Sequence, residues 1–200
     1  MYCFFTKTLN SCNIVSNDLP NDSQRDIFMP ELIEILTPSD IETKVSGMAL
    51  SISKDYANGN LVLVGVLKGA FMLLADLARQ LTVPSQIGFV GVSSYGSDMI
   101  SSGRIIVTKE LDIDIEGKDV IIVEDIVDTG LTLQFIVNYL QSFNPGTLRI
   151  CSLIDKRERR KVNVVVDYAC HEVSEGFLVG YGLDHAENYR HLPAIYHLKL

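Results

Sequence analysis

Residues 120–133, VIIVEDIVDTGLTL, carry the strongest chemical signal in the chain. An apolar run ends in Glu124 and Asp125, a tight turn follows through Asp128, Thr129 and Gly130, and a helical pattern begins at Leu131. In open α/β sheets ligands bind at the carboxyl ends of strands, which is where this order puts both acids. The turn presents successive backbone N–H groups at the positive end of a helix, with the Thr129 and Thr132 hydroxyls beside them, a nest suited to a phosphate monoester. Neither the lysine nor the spacing of an ATP-binding loop is present, so a nucleoside triphosphate fits poorly. A sugar phosphate fits better: vicinal hydroxyls donate to Glu124 and Asp125 while the phosphate sits in the nest, as ribose 5-phosphate would. An isolated acidic pair after a strand more often caps a helix, but helix capping leaves the threonines and the glycine beside it unexplained.

The elements that must hold these residues follow a regular alternation. Ser39 with Glu42 predicts a capping box, and Ile41, Val45, Met48, Ala49 and Ile52 recur at helical spacing through a helix of about 18 residues. LVLVGVL, Leu61–Leu67, is apolar on both faces, as a strand inside a parallel sheet must be. A helix over Ala70–Leu81, strands over Ile87–Ser93, Arg104–Lys109 and Asp119–Val123, a helix over Leu131–Leu140 and a strand over Leu148–Ile154 come next. Two β-rich pieces, Val162–Val166 and Phe177–Tyr181, precede a tail that ends in apolar and basic residues. Strand and helix alternating in this way predict a central parallel α/β sheet. The polar, glycine-containing stretch from Ser94 to Gly103 reads as a lid loop. Residues 16–26, SNDLPNDSQRD, have no hydrophobic period, so residues 1–28 read as a loose extension, leaving 29–200 as one domain.

Composition narrows the class. The 200 residues are 47% hydrophobic and 21% charged, with 14 Gly and 6 Pro, which excludes a disordered or collagen-like chain. Seventeen basic against 25 acidic residues give a formal net charge of −8, which argues against nucleic acid or an anionic membrane as partner. Cys3, Cys12, Cys151 and Cys170 form no CxxC pair and no zinc spacing, so they read as free thiols in a reducing cytoplasm. The N-terminal MYCFFTKTLNSCNIV lacks the basic start and the apolar length of a signal peptide, and no stretch approaches a membrane span. His171, His185, His191 and His197 lack zinc spacing, and Gly180 with Gly182 are too few for a dinucleotide fingerprint.

The 120–133 segment resembles the signature of the type I phosphoribosyltransferases: two hydrophobic residues, two acids, two apolar residues and D-T-G-x-T. LKGA at Leu67–Ala70 resembles their pyrophosphate loop and SSYG at Ser93–Gly96 the start of their flap. DKRERRKV and GFLVGYGLDHAENYR resemble the purine-binding end of the hypoxanthine branch. The likeness spans about residues 32–198 and implies a central parallel sheet flanked by helices, with a small hood built from N- and C-terminal segments. It assigns the ribose hydroxyls to Glu124 and Asp125. The 5-phosphate falls to Asp128, Thr129, Gly130, Leu131 and Thr132, although Leu131 stands where relatives often carry a basic residue. Asp128 is also the implied base near N7 of a purine. Lys156, Phe177, Leu178 and Asp184 fall at the purine end: Lys156 as donor to the oxygen at C6, Phe177 as stacking ring and Leu178 through its backbone. Lys68, Gly69 and Arg190 face pyrophosphate, with the peptide before Lys68 able to adopt the cis form, and Ser94 and Tyr95 begin the flap. Glu124, Asp125 and Asp184 would serve Mg2+, the implied cofactor.

Read from residue type alone, Lys156 opens the charged run KRERRK, which suits a solvated face, Phe177 suits a core position and Lys68 an ordinary surface site. The implied reaction joins phosphoribosyl pyrophosphate to a 6-oxopurine, hypoxanthine or guanine, in the cytoplasm, in a homodimer or homotetramer. Two alternatives stay open. One is a phosphoribosyl-pyrophosphate-sensing regulator that binds nucleic acid; the other is a xanthine-guanine or adenine transferase, the adenine option being disfavoured by a lysine aimed at a C6 oxygen.

Overall fold

The computed structural model describes residues 31–95 and 104–199. A six-stranded sheet is built from β2 (Leu61–Leu67), β3 (Ser85–Tyr95), β4 (Arg104–Lys109), β5 (Asp119–Val127), β6 (Thr147–Lys156) and β7 (Tyr168–Val173), in the order β4-β3-β2-β5-β6-β7. All neighbours run parallel except β3 and β4. Residues of alternate parity supply the two faces: Leu61, Leu63, Ile121 and Val123 pack beneath α1 (Pro38–Asp55) and α2 (Phe71–Gln80). Val62, Val64, Val120 and Ile122 pack beneath α3 (Leu131–Gln141), with its Leu133, Ile136 and Leu140. Burial on both faces is why β2 and β5 read as unbroken apolar runs.

Strand order fixes where the site must lie. From β2 the chain crosses through α2 to β3 on one side, and it later returns to β5 on the other side of β2. The carboxyl ends of β2 and β5 therefore flank the point where the winding reverses, the crevice in which open α/β sheets bind ligands. A second, three-stranded antiparallel sheet, β1-β9-β8, joins β1 (Glu31–Leu36) and β9 (Ile195–Lys199) to the short β8 (Leu178–Val179). This is the hood, and it ties the first and last described strands together.

Several local expectations are corrected. The first helix is capped by Thr37, not Ser39: the Thr37 hydroxyl accepts from Asp40 N–H at 3.1 Å and the Asp40 carboxylate accepts from Thr37 N–H at 3.0 Å. Pro38, with its fixed φ and no N–H to satisfy, fits the first helical position and moves the start forward. Val162–Val166 forms no strand. Val164 and Val166 pack against the α3 side of the core, but Lys161 N–H bonds to the Thr129 carbonyl at 2.9 Å and Arg160 takes the Val164 carbonyl at 3.0 Å, so the segment folds over the phosphate turn instead of joining the sheet. The strand that follows is β7. β3 runs on through Ser94 and Tyr95, paired with Ile105 and Arg104, so the expected lid starts as strand. The rest of that loop, residues 96–103, lies outside the described residues, as does the proposed extension 1–28.

Candidate active site

β5 outlasts its apolar core by four residues, pairing Glu124 with Ser152 and Val127 with Asp155, and thereby carries its acids past the sheet's edge. Asp128 and Thr129 then turn the chain, and Gly130 closes the turn at φ +80. A side chain there would be strained in this left-handed conformation and would meet Val162 Cγ2 at 2.9 Å. With Gln134 N–H donating to the Gly130 carbonyl at 2.8 Å, the N–H groups of the first turn of α3 have no partner within the helix. A cavity of about 130 Å³ is lined by Glu124, Asp128, Thr129, Gly130 and Thr132 together. A larger cavity of about 500 Å³, between α1, α2 and Leu192, holds none of these residues, so chemistry and not size selects the site.

Two carboxylates of the site each have an unpartnered oxygen. Glu124 Oε2 and Asp128 Oδ1 are buried with no hydrogen-bond partner. Burial pushes the Glu124 carboxyl well above the usual carboxylate range, and the adjacent Asp125 charge adds to it. Burial raises Asp125 as well, opposed by Glu124, by the Ile126 N–H that donates to it at 2.8 Å and by the Arg190 charge. The free site thus favours keeping a proton on the pair.

Three segments distant in sequence stack in turn, the loop after β2 on Asp125 and the loop after β8 on the loop after β2. The Leu67–Lys68 peptide after β2 is cis, as the resemblance allows, and Gly69 lies so close to the Asp125 carboxylate that any side chain at 69 would overlap it. Gly182 packs in turn on the Gly69 carbonyl, leaving no room for a Cβ. Arg190 donates to the Gly182 carbonyl at 2.7 Å and to Asp184 Oδ1 at 2.7 Å. Lys68 reaches the same loop through Glu187, at 2.9 Å.

The residues assigned to the purine end gather at the hood. Lys156, only 7% exposed at the end of β6, donates to the Gly176 carbonyl at 2.9 Å, leaving two ammonium hydrogens for another acceptor. Phe177 is 45% exposed and meets His185 edge-on, centroids 5.2 Å apart. Leu198 N–H donates to the Phe177 carbonyl at 2.8 Å, which makes Leu178 and His197 the antiparallel pair that exchanges no bonds. The N–H and carbonyl of Leu178 therefore lie on the outer edge of β8, which no strand among the described residues covers.

Known proteins match this arrangement. The family model for the phosphoribosyl transferase domain matches residues 33–186. The chain belongs to the phosphoribosyltransferase family. It is 47% identical over 163 residues to a hypoxanthine-guanine phosphoribosyltransferase of Aquifex aeolicus, 81% of this chain and 92% of that one. It is 41% identical over 170 residues to a hypoxanthine phosphoribosyltransferase of Salmonella typhimurium, 84% of this chain and 96% of that one. A crystal structure of a hypoxanthine phosphoribosyltransferase from Staphylococcus aureus superposes with a TM-score of 0.80 at 41% identity, covering 84% and 91% of the two chains.

In this phosphoribosyltransferase Asp184, the third acid expected to serve Mg2+, is ion-paired to Arg190 and accepts from the Glu187 N–H at 2.9 Å. Sequence reasoning also passed over Arg160. Its side chain, 17% exposed, bonds the buried Asp155 carboxylate, the Val127 carbonyl at 3.1 Å and the Asp128 carbonyl at 3.0 Å, fastening the phosphate turn to β6. Arg159 pairs with Asp128 Oδ2 at 3.4 Å. Charged runs of this kind are commonly solvated, and only the short step from β6 back to the turn separates Arg160 from its neighbours in KRERRK.

Proposed function

We infer that this chain transfers the 5-phosphoribosyl group of phosphoribosyl pyrophosphate to N9 of a 6-oxopurine, hypoxanthine or guanine, yielding a nucleoside 5-monophosphate and pyrophosphate. The observation that carries this reading is the contact of Gly69 with Asp125 and of Gly182 with Gly69, which sets pyrophosphate loop, ribose acids and purine end around one point.

In this reading the N–H groups at the start of α3 and the Thr129 and Thr132 hydroxyls hold the 5-phosphate. Glu124 and Asp125 accept from the ribose hydroxyls, which supplies the partner that Glu124 Oε2 lacks. Lys68 and Arg190 face the pyrophosphate. Lys156 donates to the oxygen at C6, Phe177 stacks on the ring and the outer edge of Leu178 meets the ring's polar edge. Asp128 takes the proton at N7 as the ring nitrogen attacks, a positioned base beside the anomeric carbon.

Mg2+ fits these residues. Two adjacent carboxylates, Glu124 with its orphaned oxygen and Asp125, offer the hard oxygen donors that Mg2+ takes and would hold it. When bound it neutralises the departing pyrophosphate. We place Asp184 at the rim, where it orients Arg190. The buried free thiols of Cys151 and Cys170 suit the reducing cytoplasm, where we place the reaction, and we propose a homodimer or homotetramer. No helix among the described residues is long and apolar enough to cross a membrane.

Lys156→Met tests the base assignment. Removing a charged donor from a buried carbonyl oxygen lowers kcat/KM for hypoxanthine about 10- to 100-fold and narrows the gap to adenine. Undiminished preference for 6-oxopurines in steady-state kinetics would remove Lys156 from the purine site.

A further inference from the structure

The loop between β8 and β9 carries a carboxylate that the reaction above does not use. Glu187 sits at its tip with φ +65, beside Ala186 at +49 and Tyr189 at +73, and His185 and Asn188 close the tip with paired backbone bonds. Its N–H is fixed to Asp184 Oδ2 at 2.9 Å. Its two oxygens divide between two cations: Oε2 lies 2.9 Å from Lys68 Nζ and Oε1 3.6 Å from Arg190 Nη2. Those are the two side chains assigned above to pyrophosphate.

A carboxylate bridging a lysine and an arginine occupies the place a phosphate group would take between them. Of the two acids on Arg190, Asp184 is the closer, at 2.7 Å, and is held by the loop backbone as well. Glu187 is the exchangeable one: its side chain is 65% exposed and that of Lys68 is 67% exposed. We propose that Glu187 is the internal counter-ion of the pyrophosphate subsite, bridging Lys68 and Arg190 when the subsite is empty, displaced when a diphosphate enters and returning as pyrophosphate departs. It acts as a positioning residue that keeps both cations in place at the expense of diphosphate affinity. The proposal rests on the pyrophosphate role of Lys68 and Arg190.

Removing the competing charge tightens diphosphate binding, whereas a merely structural acid would loosen it, so the sign of the effect decides. In Glu187→Gln, which is isosteric and exposed, KM for phosphoribosyl pyrophosphate and the product-inhibition constant of pyrophosphate both fall about two- to fivefold, the scale of exposed ion pairs. KM for hypoxanthine stays unchanged, calorimetric titration of pyrophosphate with magnesium shows the same tightening, and the difference shrinks in 1 M salt. Lys68→Met serves as reference and raises both diphosphate constants. If Glu187→Gln leaves them unchanged or raises them while Lys68→Met raises them, the counter-ion role is overturned and the subsite assignment stands. If Lys68→Met moves neither, the assignment and the proposal fall together.

Discussion

At the scale of single residues the site is defined by groups held in unfavourable surroundings. Asp128 stands half-buried with Oδ1 unpartnered and Oδ2 on Arg159. In its proposed role as base at N7 it would contribute mainly in the transition state, so Asp128→Ala lowers kcat by roughly a hundredfold or more with little change in KM for the purine; steady-state kinetics with hypoxanthine checks this. Glu124 makes the same point through stability. Its ordinary value is near 4.5 and burial raises it in the folded chain, so folding takes up a proton above that pH. The stability the protonated carboxyl carries is full below about pH 4.5 and is lost as pH rises through the folded-state value. Glu124→Gln removes this loss. Its melting temperature exceeds that of the natural chain by a few degrees at pH 8, with the difference closing toward pH 4.5, in thermal scans without substrate. The same variant binds phosphoribosyl pyrophosphate weakly, an expected trade between stability and activity.

At the scale of elements, a strand, a turn and a helix N-terminus are assembled by contacts of very different sequence range. Glu124, Asp125, Asp128, Thr129 and Gly130 were legible because their spacing is local: a buried strand, acids at its end, a glycine where φ must be positive. Arg160 was not, because its partners Val127, Asp128 and Asp155 come from two strands and a turn that only the fold brings together. The same limit hid β1 and β9, short terminal strands whose pairing with each other spans most of the chain. It also misled the reading of Val162–Val166, where β-branched residues signalled a strand but the Lys161 N–H bond to the Thr129 carbonyl and the Arg160 guanidinium donating to the Val164 carbonyl hold the segment elsewhere. Arg160→Met tests the clamp. It leaves the Asp155 carboxylate, 3% exposed, with Arg157 alone at 2.9 Å, costs about 3 kcal/mol and lowers the melting temperature by roughly 6–12 °C. A shift within 2 °C would show the turn to be held by its own backbone.

At the scale of the whole molecule, an acidic chain has to bind a highly anionic substrate. Net charge of −8 disfavours polyanions along an extended surface, which removes support from the nucleic-acid-binding alternative. Locally, Lys68, Arg159 and Arg190 stand around the carboxyl ends of β2 and β5, each paired with an acid of the site, and the α3 N-terminus adds its partial positive charge. The reversal of strand order at β2 and β5 supplies the crevice, and the bond from Lys156 to the Gly176 carbonyl ties the end of β6 to the segment that carries Phe177 and Leu178. The most direct measurement is a steady-state assay of the purified chain with hypoxanthine, guanine, xanthine and adenine, each with phosphoribosyl pyrophosphate and magnesium. Hypoxanthine or guanine should be converted to the 5-monophosphate with stoichiometric pyrophosphate, and adenine should be disfavoured at least ~100-fold in kcat/KM, because Lys156 would face an amino group instead of an oxygen. Absence of turnover with both 6-oxopurines, or a preference for adenine, would contradict the assigned reaction.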